Sequence, residues 1–357
     1  MWTANRWCSL LLALAVPAAC SPGHGDSDAG SSGETTGDPP ACVFPDSGLP
    51  DDVFCTGLYV GRDASQYADD VMPYKPGVTL WSDGAEKDRF LYLPPSTAID
   101  TSNMDVWEFP VGTKAWKEFR VDGVLVETRL FWKQGPSNWA SGTYIWDDSG
   151  AARLNTAKRP VLLADGYEIP TAKDCGKCHH GGADKLLGVE AVALGLPTAE
   201  GATLTKLTAD GLLTDPPART TIDLPNDASG KAGPALGYLH ANCGMPCHST
   251  RGLGDETELV LRLRADEFWP TDAGADPPPV DATKTDTYIA TVGQKPTTAS
   301  VAQKFPDALR ITPGVHEQSL VWLMSHRRDD YQMPPLVSHK VDEPGTQALS
   351  EWIDALP

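Results

Sequence analysis

Positive charge is in short supply in this chain. Its 29 lysines and arginines face 48 aspartates and glutamates, a net charge of −19, and nucleic-acid phosphates repel a chain so acidic. Direct electrostatic attachment to anionic lipid is disfavoured for the same reason. Long hydrophobic runs are missing from the N-terminal region too. Arg6 precedes an apolar stretch from Leu10 to Val16 that is too short to span a bilayer. With the small pair Ala18-Ala19 behind it, the layout over residues 1–20 is that of an export signal. Cys20 follows directly and is the expected site of lipid attachment, although Pro17 is unusual before such a site and leaves plain cleavage open. Apolar residues are almost absent from 21–40, which cannot offset its own ordering entropy and reads as a flexible tether of roughly 25 Å. Membrane contact is therefore expected only through a lipid anchor. The chain is expected in the periplasm or anchored at the outer membrane, because Ser21 lacks the aspartate of inner-membrane retention.

Cysteine is sparse as well. Of eight residues, Cys8 leaves with the signal, Cys20 takes the lipid, and six remain. Cys42 and Cys55, with twelve residues between them, read as a disulfide in an exported protein. The other four fall into two signatures described below.

Residues beyond the tether suffice for two domains. The first, 41–170, reads as β-rich and sandwich-like, and six of the eleven tryptophans lie between Trp81 and Trp146. Asp122-Gly123 suits a two-residue hairpin turn. After it Val124, Val126, Thr128, Leu130 and Trp132 alternate with Leu125, Glu127, Arg129 and Lys133, a strand with one buried face. Before it Ala115, Phe119 and Val121 share a face. The tryptophan cluster reads as core rather than ligand site. The second domain, 171–357, reads as mainly helical. Its best-defined element is a closing helix, capped by Asp342 or Glu343, with Pro344 in the first turn and a stripe of Leu349, Trp352, Ile353 and Leu356. The fold class is α+β.

The chemistry sits in Cys175-Gly176-Lys177-Cys178-His179 and Cys243-Gly244-Met245-Pro246-Cys247-His248. Cys-x-x-Cys-His is the covalent attachment signature of c-type haem, the thiols bonding the macrocycle and the histidine ligating iron. A thioredoxin-like dithiol needs a βαβ context that is missing. A four-cysteine zinc site is the other alternative. The second signature has one residue too many, but a helix leads into it, Met333-Pro334-Pro335 follows, and the closing helix comes last. That order suits a small cytochrome c domain with Met333 as the sixth iron ligand. No methionine separates His179 from the second signature, so His240, Met72 and Met104 are its candidate partners, and an open sixth position is another. His180 adjoins His179 and reads as a surface residue. Met245 is too close to its own signature to serve there. Arg327, Arg328 and Lys340 flank the Met333 loop and are candidates to pair with haem carboxylates.

Taken in order, the runs Trp81-Ser82-Asp83-Gly84-Ala85, Phe109-Pro110-Val111-Gly112-Thr113, Glu127-Thr128-Arg129-Leu130, the two signatures, Met333-Pro334-Pro335 and Trp352-Ile353 resemble a family of exported bacterial di-haem cytochrome c-like proteins with a β-rich front. The resemblance covers roughly residues 75–357. It implies two c-type haems held by Cys175, Cys178, Cys243 and Cys247, with His179, His248 and Met333 on iron. Relatives of this kind occur alone or joined to quinoprotein sugar dehydrogenases, which implies a redox partner of that class. The leading expectation is an electron carrier between a periplasmic dehydrogenase and a respiratory acceptor. The alternatives are a di-haem peroxidase-like enzyme and a non-redox envelope lipoprotein with disulfides at both signatures.

Overall fold

Strand β3 (Lys114–Val121) and strand β4 (Val124–Gly135) form the centre of the fold. Asp122 and Gly123 both take positive φ, 50° and 78°, giving the left-handed pair that a tight hairpin requires. Around this hairpin seven strands pair antiparallel in the order β6-β5-β4-β3-β2-β1-β9. The others are β1 (Met72–Lys75), β2 (Glu86–Tyr92), β5 (Asn138–Trp146), β6 (Ala152–Leu154) and β9 (Glu200–Gly201). A separate ribbon joins β7 (Val161–Leu162) to β8 (Glu168–Ile169). This computed structural model describes residues 41–45, 48–179, 184–250, 252, 254–270 and 278–357. The export signal, Cys20, the tether and His180 lie outside the described residues.

The class is mixed α+β. Where a sandwich was expected, one large sheet has each of its faces covered by non-sheet chain. On one face Phe90, Trp116, Leu130 and Tyr144 pack under the segment that carries Leu49, Val53, Leu58 and Val71. That segment is closed by the expected disulfide, Cys42–Cys55, with Cα atoms 5.4 Å apart. On the opposite face Leu91 and Ala115 meet Leu194, Leu204 and Leu207 from helices α2 (Ala191–Gly195) and α3 (Leu204–Ala209), which follow α1 (Ala172–Cys178). Each fully buried side chain of this size contributes about 1.5–3 kcal/mol.

β4 corrects the expectation of a single buried face. Leu130 and Thr128 are fully buried on one side, while Glu127, Phe131 and Lys133 are buried on the other. Alternation registers only apolar burial, and this second face is charged. Glu127 is held by Arg129 at 3.0 and 2.5 Å and by the Tyr167 hydroxyl at 2.6 Å. The sheet also recruits chain from beyond residue 170, since β9 pairs with β1 through Tyr74 opposite Gly201.

The remaining helices form a core of their own. Leu236 and Leu239 of α4 (Ala232–Leu239) pack on Trp352 and Ile353 of the closing helix Glu343–Ala355. That helix starts as expected, the Asp342 carboxylate accepting from Gly345 N–H at 3.1 Å with Pro344 in the first turn.

Candidate functional site

α1 places the first signature. The Asp174 carboxylate accepts from the backbone N–H and hydroxyl of Thr171 at 3.1 and 2.7 Å, tightening the first turn. One turn on, His179 N–H donates to Cys175 C=O at 3.0 Å and closes the signature as an α-turn. The His179 ring stacks on Phe131 of β4, centroids 4.2 Å apart, and its Nδ1 meets the Lys185 carbonyl. Burial, with Lys117 nearby, pulls its pKa down to about 3, so the ring is neutral.

The loop bearing Lys185 is anchored next door. The Asp184 carboxylate accepts from Lys133 Nζ at 2.8 Å on both oxygens, from Trp139 Nε1 at 2.7 Å and from Phe109 N–H at 2.6 Å. Both charged side chains are almost fully enclosed.

The second signature solves its extra residue by widening the helix. After α4 the chain runs straight into a π-helical turn, His240–Gly244, a form that tends to mark functional positions. Within the signature His248 N–H donates to Cys243 C=O at 2.8 Å. The bond spans five residues where the first signature spans four, so each histidine N–H still ends on the carbonyl of its leading cysteine. Gly244 makes this possible, since a Cβ there would sit 2.5 Å from Leu261 O. Gly254 faces the His248 ring so closely that a Cβ would lie 2.6 Å from Nδ1, and the Thr257 hydroxyl lies 3.4 Å from that same nitrogen. Burial lowers the His248 pKa to about 4.

Both signatures open on one cavity of about 520 Å³ between the sheet and the helical half. Cys175, Cys178, His179, Cys243, Cys247 and His248 all line it, together with Met333. The four cysteines are free thiols. Cys178 is drawn down to about 7, chiefly by the Cys247 thiol beside it, while burial pushes Cys243 up to about 12. Among the described residues no three His, Cys, Asp or Glu side chains converge on one point.

The residues considered as partners of His179 are placed differently from one another. His240 lines the cavity, but Nε2 is 3.2 Å from Glu190 and Nδ1 accepts from Leu263 N–H at 3.0 Å, so both nitrogens are taken. Met72 and Met104 pack into the core between the sheet and α2 instead. Two methionines not considered for the first site do line the cavity, Met245 and Met324. Met333 N–H donates to Met324 C=O at 2.8 Å, so the two are held together.

Runs scattered along the sequence meet at this cavity. Asp83 is buried, and its carboxylate accepts from the N–H groups of His339 and Lys340 at 2.8–3.0 Å, fixing the loop behind Met333. Two residues earlier Trp81 N–H donates to the Asn242 carboxamide at 2.6 Å, tying the same strand of chain to the π-turn. Arg327 instead pairs with Asp329, and Arg328 donates to the carbonyls of Ser325, Arg327 and Lys340. The cations that do reach the cavity are Lys87, Arg89, Lys117 and Arg129 on the sheet, Lys177 of α1 and Arg310. Their signal in the sequence was the charged alternation of Lys87/Arg89 and Glu127/Arg129, which reads as a solvated face until the opposite side of the sheet is known.

Comparison with family models, curated proteins and solved structures finds no match to this chain.

Proposed function

We propose that the chain is an exported c-type cytochrome that carries electrons through two covalently held haems. Its donor would be a periplasmic dehydrogenase of the quinoprotein class and its acceptor a respiratory one, with Cys20 as lipid anchor. One observation carries the reading. Two Cys-rich signatures, each closed by a histidine N–H on its first cysteine carbonyl, line one cavity together with Met324 and Met333.

The donor set suits the group. A metal-bound imidazole keeps its orientation when its second nitrogen is occupied by a carbonyl or hydroxyl. His179 Nδ1 is occupied by Lys185 O and His248 Nδ1 by Thr257, which leaves Nε2 of each ring for iron. Both rings are neutral, as ligation needs. Met333 and Met324 offer thioethers, soft ligands that favour electron transfer over oxygen chemistry. A bound haem supplies a one-electron change at iron without bond-making. The chain's own part is to fix the axial side chains, to exclude water with the apolar lining, and to place cations beside the site.

Mass spectrometry of the exported protein tests the reading. Two added haem masses are expected, with one lost in Cys175→Ala/Cys178→Ala and the other in Cys243→Ala/Cys247→Ala. A wild-type protein without haem mass overturns it. A second reading, a di-haem peroxidase-like enzyme, draws on the engagement of His240 with Glu190 and the absence of Met72 and Met104 from the cavity lining. A high-spin haem that reacts with peroxide would select it, and two low-spin haems would select the carrier.

A further inference from the structure

Three cations stand directly opposite one another on adjacent strands. Arg89 of β2 pairs with Lys117 of β3, and Lys117 with Arg129 of β4. Partners across an antiparallel ladder point to the same side, and here that side is the cavity. With neighbouring strands about 4.8 Å apart, the row is about 10 Å long. Like charges in directly opposed positions oppose sheet formation, so a row of three calls for compensation.

Among the described residues it is supplied at one end, where Arg129 has Glu127. Arg89 is 5 % exposed, yet among the described residues its guanidinium gives a single hydrogen bond, Nη1 to Lys87 C=O at 3.2 Å. Among the described residues Lys117 finds no acceptor at hydrogen-bond distance and no carboxylate at ion-pair distance. Its ammonium is held well down in pKa by burial and by Arg89 and Arg129. Buried Arg89 and half-buried Lys117 are costly without partners, and carboxylates are the acceptors that match a guanidinium and an ammonium side by side. Phe131, two residues from Arg129 along the same face, stacks on His179, so the row begins beside the first signature.

We propose that Arg89 and Lys117 bind the carboxylates of the haem at the first signature, with Arg129, neutralised by Glu127, closing the row. The inference rests on the haem reading above. It moves carboxylate recognition from the Met333 loop, where Arg327 and Arg328 are already engaged, to the sheet. It also gives the sheet a role in the redox site, because cations beside a haem favour its reduced form.

The test combines mass spectrometry with spectroelectrochemical titration of the exported holoprotein. Lys117→Gln and Arg89→Gln are expected to keep both haem masses and to lower the midpoint potential of one haem. Lys117→Arg keeps it near wild type, and so does Arg327→Gln. Should Arg89→Gln fail to fold, Arg89→Lys and Lys117→Gln carry the comparison. Haem present with potentials unmoved in Lys117→Gln overturns the assignment and leaves the haem reading intact. No haem mass in the wild type overturns the haem reading itself. In that case protoporphyrin IX and its dimethyl ester are titrated against tryptophan fluorescence. Preference for the diacid that Lys117→Gln abolishes supports the row as a carboxylate site, and equal binding overturns it.

Discussion

Replacing Asp184 by alanine removes one carboxylate that three donors share through four hydrogen bonds. Lys133 Nζ lies 2.8 Å from both oxygens, and Trp139 Nε1 and Phe109 N–H complete the shell. The side chains are 5 % and 3 % exposed, so solvent screens little of the interaction. Breaking such a pair from one side leaves an uncompensated ammonium and costs about 3–5 kcal/mol. At about 2–4 °C per kcal/mol, the melting temperature should fall by about 6–20 °C. Thermal unfolding by circular dichroism reads it. The double variant Lys133→Met/Asp184→Leu removes both charges and should recover at least half of the loss, because an apolar pair of similar volume replaces a buried ion pair at small cost. Lys206→Ala serves as the contrast. Its pair with Asp210, 2.7 Å long but exposed, contributes only about 0.3–0.5 kcal/mol. The effect should also reach the site, since the next residue, Lys185, holds His179 Nδ1 through its carbonyl. A shift below 2 °C for Asp184→Ala, or a double variant no better than the single, would refute the reasoning.

Three further outcomes follow from particular contacts. Gly252→Ala should wreck the second signature, because the added Cβ would fall 1.8 Å from Cys247 O, whereas Gly176→Ala in α1 meets open space and should gain about 0.5–1 kcal/mol; urea unfolding of the two variants separates them. Glu190 is buried, which pushes its pKa up, but the His240 hydrogen bond, the nearby Arg262 charge and the Ala193 N–H outweigh burial and leave it below 4.5. The stability it contributes is therefore present above pH 4.5 and lost as pH falls through the depressed value, so Glu190→Gln should flatten the acid limb of unfolding free energy between pH 7 and 3.5. Cys42→Ser/Cys55→Ser opens a loop of 13 residues in sequence separation and should cost about 3 kcal/mol, measured by urea unfolding beside a reduced wild-type sample.

Local signals in this chain were legible wherever one residue type has one conformational use. Asp122-Gly123 could only be a tight turn, Asp342 with Pro344 could only open a helix, and the Leu349/Trp352/Ile353 stripe could only face a core. The two cysteine signatures and the Cys42–Cys55 pair were equally plain, because spacing along the chain sets what two thiols and a histidine can reach. What required the tertiary structure was everything that depends on which surfaces meet. The charged face of β2, β3 and β4 reads as solvated until residues 48–71 cover the opposite face and the helical half covers this one, turning Arg89 into a buried cation and Lys117 into a half-buried one. His240 was a free imidazole on paper, and it is spent on Glu190 and Leu263, fifty and twenty-three residues away. The surplus residue of the second signature looked like a defect, and a π-turn absorbs it because α4 can widen by one residue against Leu261. Sequence alone set the two cysteine-histidine signatures and the spacing within each, since that spacing is local. Packing decided that both motifs share one cavity and which charges line it, since burial is a property of the whole fold.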